Sequence, residues 1–270
     1  LFQRPVHCRE EMTRWRWPSS ARSLRSAWWS ITPPRAMTLG RRLWAAVREQ
    51  PIACAMFIAG CALRLAFIDL KPMWYDEAVH FVMARAPLAD IPALLHSLKL
   101  SPPLYFFVMH GGLALFSDPK FAMRLFSALC GIASLAWAFA LSRRLLPRGF
   151  LFAFALQCLS PYWIHYAQDG GSYSLFLLLS LASSWVFLDC LERPSGARFV
   201  AYAALAAAGL YTHYYFIILL AGQAVWCAAW GRLGERRWMP WAAAFAGAAA
   251  AYIPWLPHFF IQQQMLRGAN

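Results

Sequence analysis

Asp76 and Glu77 are adjacent carboxylates followed closely by His80, in a chain that is otherwise largely hydrocarbon-compatible. Residues 76 and 80 share a face at i, i+4 of a helix, so this acid and this imidazole can exchange a proton or hold a divalent cation. A solvated loop turn explains an isolated Asp-Glu dipeptide equally well, so the neighbouring motifs have to decide. Ser101-Pro102-Pro103-Leu104-Tyr105 uses paired prolines to fix an extended lead into a helix and aims Tyr105 at an interface. Tyr166 to Tyr173 is a polar hinge between apolar runs that carries Gln168, Asp169 and Tyr173, and Tyr211-Thr212-His213-Tyr214-Tyr215 sets His213 in an aromatic box. Singly, each has an ordinary structural reading: an interfacial tyrosine belt, a Gly-Gly turn, a hydrogen-bonded buried histidine.

The elements that must position these residues are membrane helices. The 270 residues are 60% hydrophobic and 14% charged, with a mean hydropathy of +0.44, whereas soluble domains run at roughly 45–50% apolar and about 25% charged. That composition implies an all-α, polytopic integral membrane helical bundle. A net charge of +13 in a soluble protein would suggest nucleic acid. Here the basic residues sit between apolar runs or in the first 44 positions, which points to topology and anionic membrane lipids, with no nucleic-acid partner. No CxxC pair or Cys/His cluster has zinc spacing, and most of the seven cysteines lie within apolar runs.

Residues 1–36 carry seven arginines and four tryptophans with no apolar run of signal-peptide length, and read as a disordered basic extension or a start-site artefact ahead of Met37. A membrane module over 37–270 follows. Spans are expected over 51–68, 125–141, 150–167, 173–191 and 241–261, while 199–230 reads as two helices meeting at Thr212-His213. Arg64 lies within the first span, where it should snorkel or face an anion. Residues 69–101 form a polar loop whose short apolar patches fit interfacial helices. Placing the basic connectors 142–148 and 231–237 on the cytoplasmic side brings the Asp76-Glu77 loop, the 168–171 hinge and Thr212-His213 to the opposite face. Strict alternation then requires residues 103–124 to enter the membrane only partly. The last apolar run ends near Ile261, so the module also reads as C-terminally incomplete.

The order of an Asp-Glu loop, Pro-Pro-Leu-Tyr, an Arg-Leu-x-Ser-Ala-Leu-x-Gly helix from Arg124 to Gly131, Ser-Pro-x-x-Ile-x-Tyr-Ala-Gln-Asp and Tyr-Thr-His-Tyr resembles a known family. It is that of the polyprenyl-phosphate-dependent membrane glycosyltransferases of the family-39 type, which have the C-type glycosyltransferase fold. These include protein mannosyltransferases, the aminoarabinose transferase of lipid A and lipopolysaccharide-core galacturonosyltransferases. The resemblance covers about residues 40 to 262.

The resemblance implies inverting sugar transfer from a polyprenyl-phosphate donor to an envelope acceptor, by a multi-pass protein of the plasma (inner) membrane whose site faces the periplasm or cell exterior. It makes Asp76 the catalytic base and Glu77 the supporting acid. Arg64, Tyr105, Arg124, Gln168, Asp169, Tyr173 and His213 become substrate-binding candidates. Glu77 and His80 become candidate ligands of a divalent metal, Mg or Mn. Such chemistry needs a base for the acceptor hydroxyl and a cation or guanidinium for the departing phosphate, and guanidinium forks match phosphate geometry. Two departures stand out: Ser101 replaces a residue that is often His, and Gly171 replaces a common arginine. Alternative readings are a transporter or lipid-binding protein using the same polar cluster, and an inactive or truncated relative. The oligomeric state has no signature in the sequence.

Overall fold

The computed structural model describes residues 49–97, 101–229 and 238–267. The 1–36 extension and the 231–237 connector lie outside the described residues. The chain divides into units at 1–54 and Ala55–Asn270, and everything described below belongs to the second apart from the first turn of its leading helix. Among the described residues there are helices and no strands, as the composition requires.

The helices are α1 (Pro51–Leu65), α2 (Tyr75–Arg85), α3 (Ile91–Ser97), α4 (Leu104–Leu113), α5 (Pro119–Leu145), α6 (Phe150–Leu159), α7 (Pro161–Ala167), α8 (Tyr173–Glu192), α9 (Gly196–Leu210), α10 (Phe216–Ala229), α11 (Trp238–Tyr252) and α12 (Leu256–Arg267), with a 3-10 turn Ile253–Trp255 before α12. Among the described residues, three stretches are long and apolar enough to cross a membrane: Pro119–Leu145, Tyr173–Glu192 and Trp238–Gln262. The central helix α5 starts where Asp118 accepts the N–H groups of Lys120 and Phe121 at 2.9 and 3.2 Å, with Pro119 in the first helical position. It packs against α8 most extensively, and also against α4, α6 and α7. The α9 helix packs between α8 and α11.

The sequence places one span over 150–167, but the structure breaks it at Ser160-Pro161. Pro161 has no N–H to give the Gln157 carbonyl, and Ser160 Oγ accepts the Trp163 N–H at 3.5 Å to start a new helix. Arg64, expected to snorkel or face an anion, instead serves this break. It is 1% exposed, and its guanidinium donates to the carbonyls of Gln157, Cys158 and Gly60 at 3.0, 3.2 and 3.0 Å. Long-range pairing of freed carbonyls with a buried cation satisfies groups that lipid cannot hydrogen-bond. The 199–230 run divides at Thr212-His213 into α9 and α10, as its polar interruption predicts.

Two apolar cores result. One joins α8 to α11 through Phe187, Phe199, Tyr202, Phe216 and Trp241. The other joins the helices of the 69–101 loop to α4, α5 and the 3-10 turn through Met83, Ile91, Leu95, Tyr105, Phe106 and Trp255. Thus α2 and α3 bury one face in protein, while Tyr75 and Val82 of α2 and Leu88 in the link to α3 remain exposed. The Leu104 N–H donates to Tyr211 O at 2.9 Å, and Lys120 Nζ pairs with Asp69 at 2.8 Å. Both ends of the α4 segment therefore lie at the same end of the bundle as the acidic loop.

Candidate functional site

Glu77 is 2% exposed and lies in the first turn of α2. Its carboxylate meets Arg124 of α5 as a fork: Nε to Oε1 at 2.7 Å and Nη2 to Oε2 at 2.6 Å. The Gly170 N–H donates to Oε1 at 2.8 Å and the Trp74 N–H to Oε2 at 3.3 Å. Glycine at 170 permits that approach, because a Cβ there would stand 3.1 Å from Met123 and 3.3 Å from Oε1. Burial opposes ionisation of Glu77, but Arg124, Gly170 and Trp74 outweigh it and hold its carboxyl below the usual carboxylate range. Arg124 also donates to the carbonyls of Ile68, Lys71 and Pro72 at 2.9 to 3.0 Å. All five guanidinium N–H groups are then engaged. Arg124 fastens the 68–77 loop to α5 and has no donor left over for phosphate, contrary to the role its residue type suggests.

Asp169 sits beside this pair, 8% exposed, and its Oδ1 accepts Trp74 Nε1 at 2.8 Å. Burial, reinforced by the charge of Glu77, raises its carboxyl above the usual range despite that hydrogen bond. His80, one turn beyond Asp76, places Nδ1 3.0 Å from Gly170 O, so this nitrogen carries the proton, and its ring meets Tyr105 and Phe106 edge-on. Asp76 is exposed at the start of α2 and makes no hydrogen bond or ion pair with the described residues. It interacts electrostatically with Tyr173, which also interacts with Asp169. The acidic pair therefore splits by environment: Glu77 is locked and Asp76 is open.

Tyr105 is fully buried below the carboxylates, and its hydroxyl has no partner among the described residues. His213 is 9% exposed in the turn between α9 and α10, with its ring against Tyr173 at 5.3 Å and Phe176 at 5.1 Å. The Tyr215 N–H donates to its Nδ1 at 3.2 Å, and burial pushes the imidazole pKa down. The sequence thus brings Asp76, Glu77, His80, Tyr105, Arg124, Asp169, Tyr173 and His213 to one end of the bundle. Gln168 is near them but faces away, donating to Leu63 O at 2.7 Å and Ala66 O at 2.9 Å where α1 ends on Phe67 at φ 59°. Arg64 stands apart at the α6–α7 break.

Glu77 and His80 do not make a metal site: each Glu77 oxygen holds N–H donors, and one His80 nitrogen holds a carbonyl. Among the described residues no group of three His, Cys, Asp or Glu side chains could hold a metal ion. The expected Mg or Mn therefore lacks a fitting donor set, and no step below passes through it. Sequence reasoning missed Trp74, whose backbone and indole N–H groups serve Glu77 and Asp169 at once. Its only local signal is its place immediately before the helix.

The family model for dolichyl-phosphate-mannose-protein mannosyltransferase matches residues 101–260, more than half of the chain. The match takes in Arg124, Asp169 and His213 and begins after the acidic loop. No curated protein matches the chain.

Proposed function

The chain belongs to the dolichyl-phosphate-mannose-protein mannosyltransferase family, and from that premise we propose that it transfers a sugar from a polyprenyl phosphate to a cell-envelope acceptor. The acceptor class comprises glycolipid, lipopolysaccharide and protein hydroxyls, and transfer takes place at the outer face of the membrane. The observation that carries this reading is the division of labour in the acidic pair. Glu77 is neutralised by Arg124 and cannot accept a proton without breaking a buried ion pair. Asp76 is exposed, unbonded and one turn from His80.

In the proposed step Asp76 takes the proton of the acceptor hydroxyl as that oxygen attacks the anomeric carbon. The bond from that carbon to the phosphate oxygen breaks on the opposite side, which inverts the centre and releases polyprenyl phosphate. Glu77 and Arg124 act at one remove by holding the start of α2. Asp169, Tyr173 and His213 line the space beside the base and contact substrate, with Tyr105 buried beneath them.

The test is transfer by purified protein in lipid, supplied with radiolabelled polyprenyl-phosphate sugars and envelope glycolipid. General-base removal in Asp76→Asn is expected to lower turnover by about 10²–10⁴ without changing thermal stability. Turnover by Asp76→Asn equal to the unaltered protein would overturn the assignment.

A further inference from the structure

Five aromatic rings from three chain segments form a continuous wall beside the carboxylates. Tyr162 and Tyr166 of α7 stand 4.6 Å apart between ring centroids, Tyr166 meets Tyr173 of α8 at 4.3 Å, Tyr173 meets His213 at 5.3 Å, and His213 meets Tyr215 at 5.0 Å. The wall is graded: Tyr162 and Tyr215 at its edges are 55% and 65% exposed, Tyr166 and Tyr173 are half-buried, and His213 is 9% exposed. Tyr173 interacts electrostatically with Tyr162 and Tyr215 as well as with Asp76 and Asp169, so phenol groups and carboxylates converge on one region.

An interfacial tyrosine belt distributes separate rings around the lipid-facing surface, each with an apolar body in hydrocarbon and its hydroxyl in water. This wall differs in two respects. Its rings contact one another across a chain reversal, and it runs into a nearly buried histidine. Because the Tyr215 N–H occupies Nδ1, the His213 proton resides on Nε2 as a neutral donor. Apolar ring surface bordered by a few fixed donors and acceptors is the general form of a small-molecule site.

We infer that this wall is a pyranose-binding subsite. The C–H face of a sugar ring would lie on Tyr166 and Tyr173, and its hydroxyls would be met by the phenols, His213 Nε2 and the carboxyl of Asp169. A ring with one apolar face and an equatorial fringe of hydroxyls complements such a surface, since aromatic faces carry partial negative charge toward C–H groups. The inference rests on the sugar-transfer reading for the identity of the ligand. The sugar comes from the donor lipid or from a glycosylated acceptor, and the two sources share this chemistry.

The experiment measures binding of three probes to the full chain in nanodiscs: a bare polyprenyl phosphate, the same lipid carrying mannose, galacturonic acid or aminoarabinose, and methyl pyranosides of those sugars. The unaltered protein should bind at least one sugar-bearing lipid or pyranoside more tightly than its sugar-free counterpart. Tyr166→Leu and Tyr173→Leu should abolish that increment, a loss of roughly tenfold for removal of one stacking face. Tyr173→Phe should retain most of it, and unchanged binding of the bare lipid reports an intact fold. Loss confined to the lipid-borne sugar assigns the wall to the donor, and loss confined to free pyranosides assigns it to the acceptor. Wall-dependent pyranoside binding with no binding of any polyprenyl phosphate would leave the subsite standing and overturn the function proposed above. Sugar transfer with unchanged sugar increments in both leucine variants, or binding by the unaltered protein of no sugar-bearing lipid and no pyranoside more tightly than its sugar-free counterpart, overturns the subsite.

Discussion

At the scale of single residues, neighbouring acids differ because one is surrounded and the other is not. Glu77 is 2% exposed and its ion pair with Arg124 is buried on both sides, so removing one partner strands a charge. Breaking such a pair costs about 3–5 kcal/mol, and Glu77→Gln is expected to lower the melting temperature sharply in a detergent unfolding assay. Arg124→Lys should lower it as well, because an ammonium cannot span two carboxylate oxygens and three carbonyls. Asp169 is governed by the opposite balance. A carboxyl whose folded-state pKa is raised by burial and by Glu77 binds its proton more tightly when folded, so its ionisation destabilises the fold as pH rises above the usual carboxylate range. Glu77, held low, contributes stability that is lost only as pH falls below that range. The melting temperature of Asp169→Asn relative to the unaltered protein should therefore increase as pH is raised from about 4 toward neutrality, with the Trp74 hydrogen bond retained by the amide oxygen. A pH-independent difference would show that Asp169 ionises as freely in the fold as outside it.

At the scale of elements, what the sequence made legible were the interruptions. Asp76-Glu77, Gln168 to Gly171 and Thr212-His213 stand out because polar groups cannot be left in hydrocarbon unpaired, and each does lie at a helix start or turn. The break at Ser160-Pro161 is harder to see, since it falls inside an apolar run, and the compensating side chain lies 93 and 94 residues before the carbonyls it serves. Long side chains hide their roles for the same reason. Arg64, Arg124 and Gln168 look like ligand-binding groups by type, yet apart from the Arg64–Gly60 bond their hydrogen bonds reach carbonyls and carboxylates 47 to 105 residues away in sequence, beyond any local spacing. The Arg64–Pro161 relation can be measured as a double-mutant cycle. Arg64→Met leaves the Gln157 and Cys158 carbonyls without donors and should cost about 2 kcal/mol in unfolding free energy. In a Pro161→Ala background, residue 161 regains an N–H that can serve Gln157, and the same substitution should cost less. Equal costs in both backgrounds would mean that Arg64 does not stand in for the missing donor.

At the scale of the whole molecule, the gathering of the polar motifs depends on α4 not crossing the membrane. Its ten residues span about 15 Å, half of a roughly 30 Å hydrocarbon core. Its start is tied to Tyr211 at the turn between α9 and α10, and the residues after it lead to Lys120, which is tied to Asp69 in the acidic loop. A full crossing would carry Asp118 to the end that holds Arg143 and Arg144, and Arg124 could not then reach Glu77. The α5 helix, at 27 residues, is long and apolar enough for the crossing that α4 is too short to make, and α8 runs from the hinge at 170 to the Arg144 ion pairs with Asp189 and Glu192. Single cysteines introduced at Leu70, Ser117 and Tyr215 should therefore react with a membrane-impermeant maleimide from the same side of sealed vesicles, and a cysteine at Arg148 only from the other. The native cysteines would first be replaced by serine or alanine. Labelling of position 117 together with 148 would place α4 across the bilayer and separate Arg124 from the acidic loop, which would dismantle the site; labelling of 70, 117 and 215 together keeps the Glu77–Arg124 pair and the aromatic wall on one face.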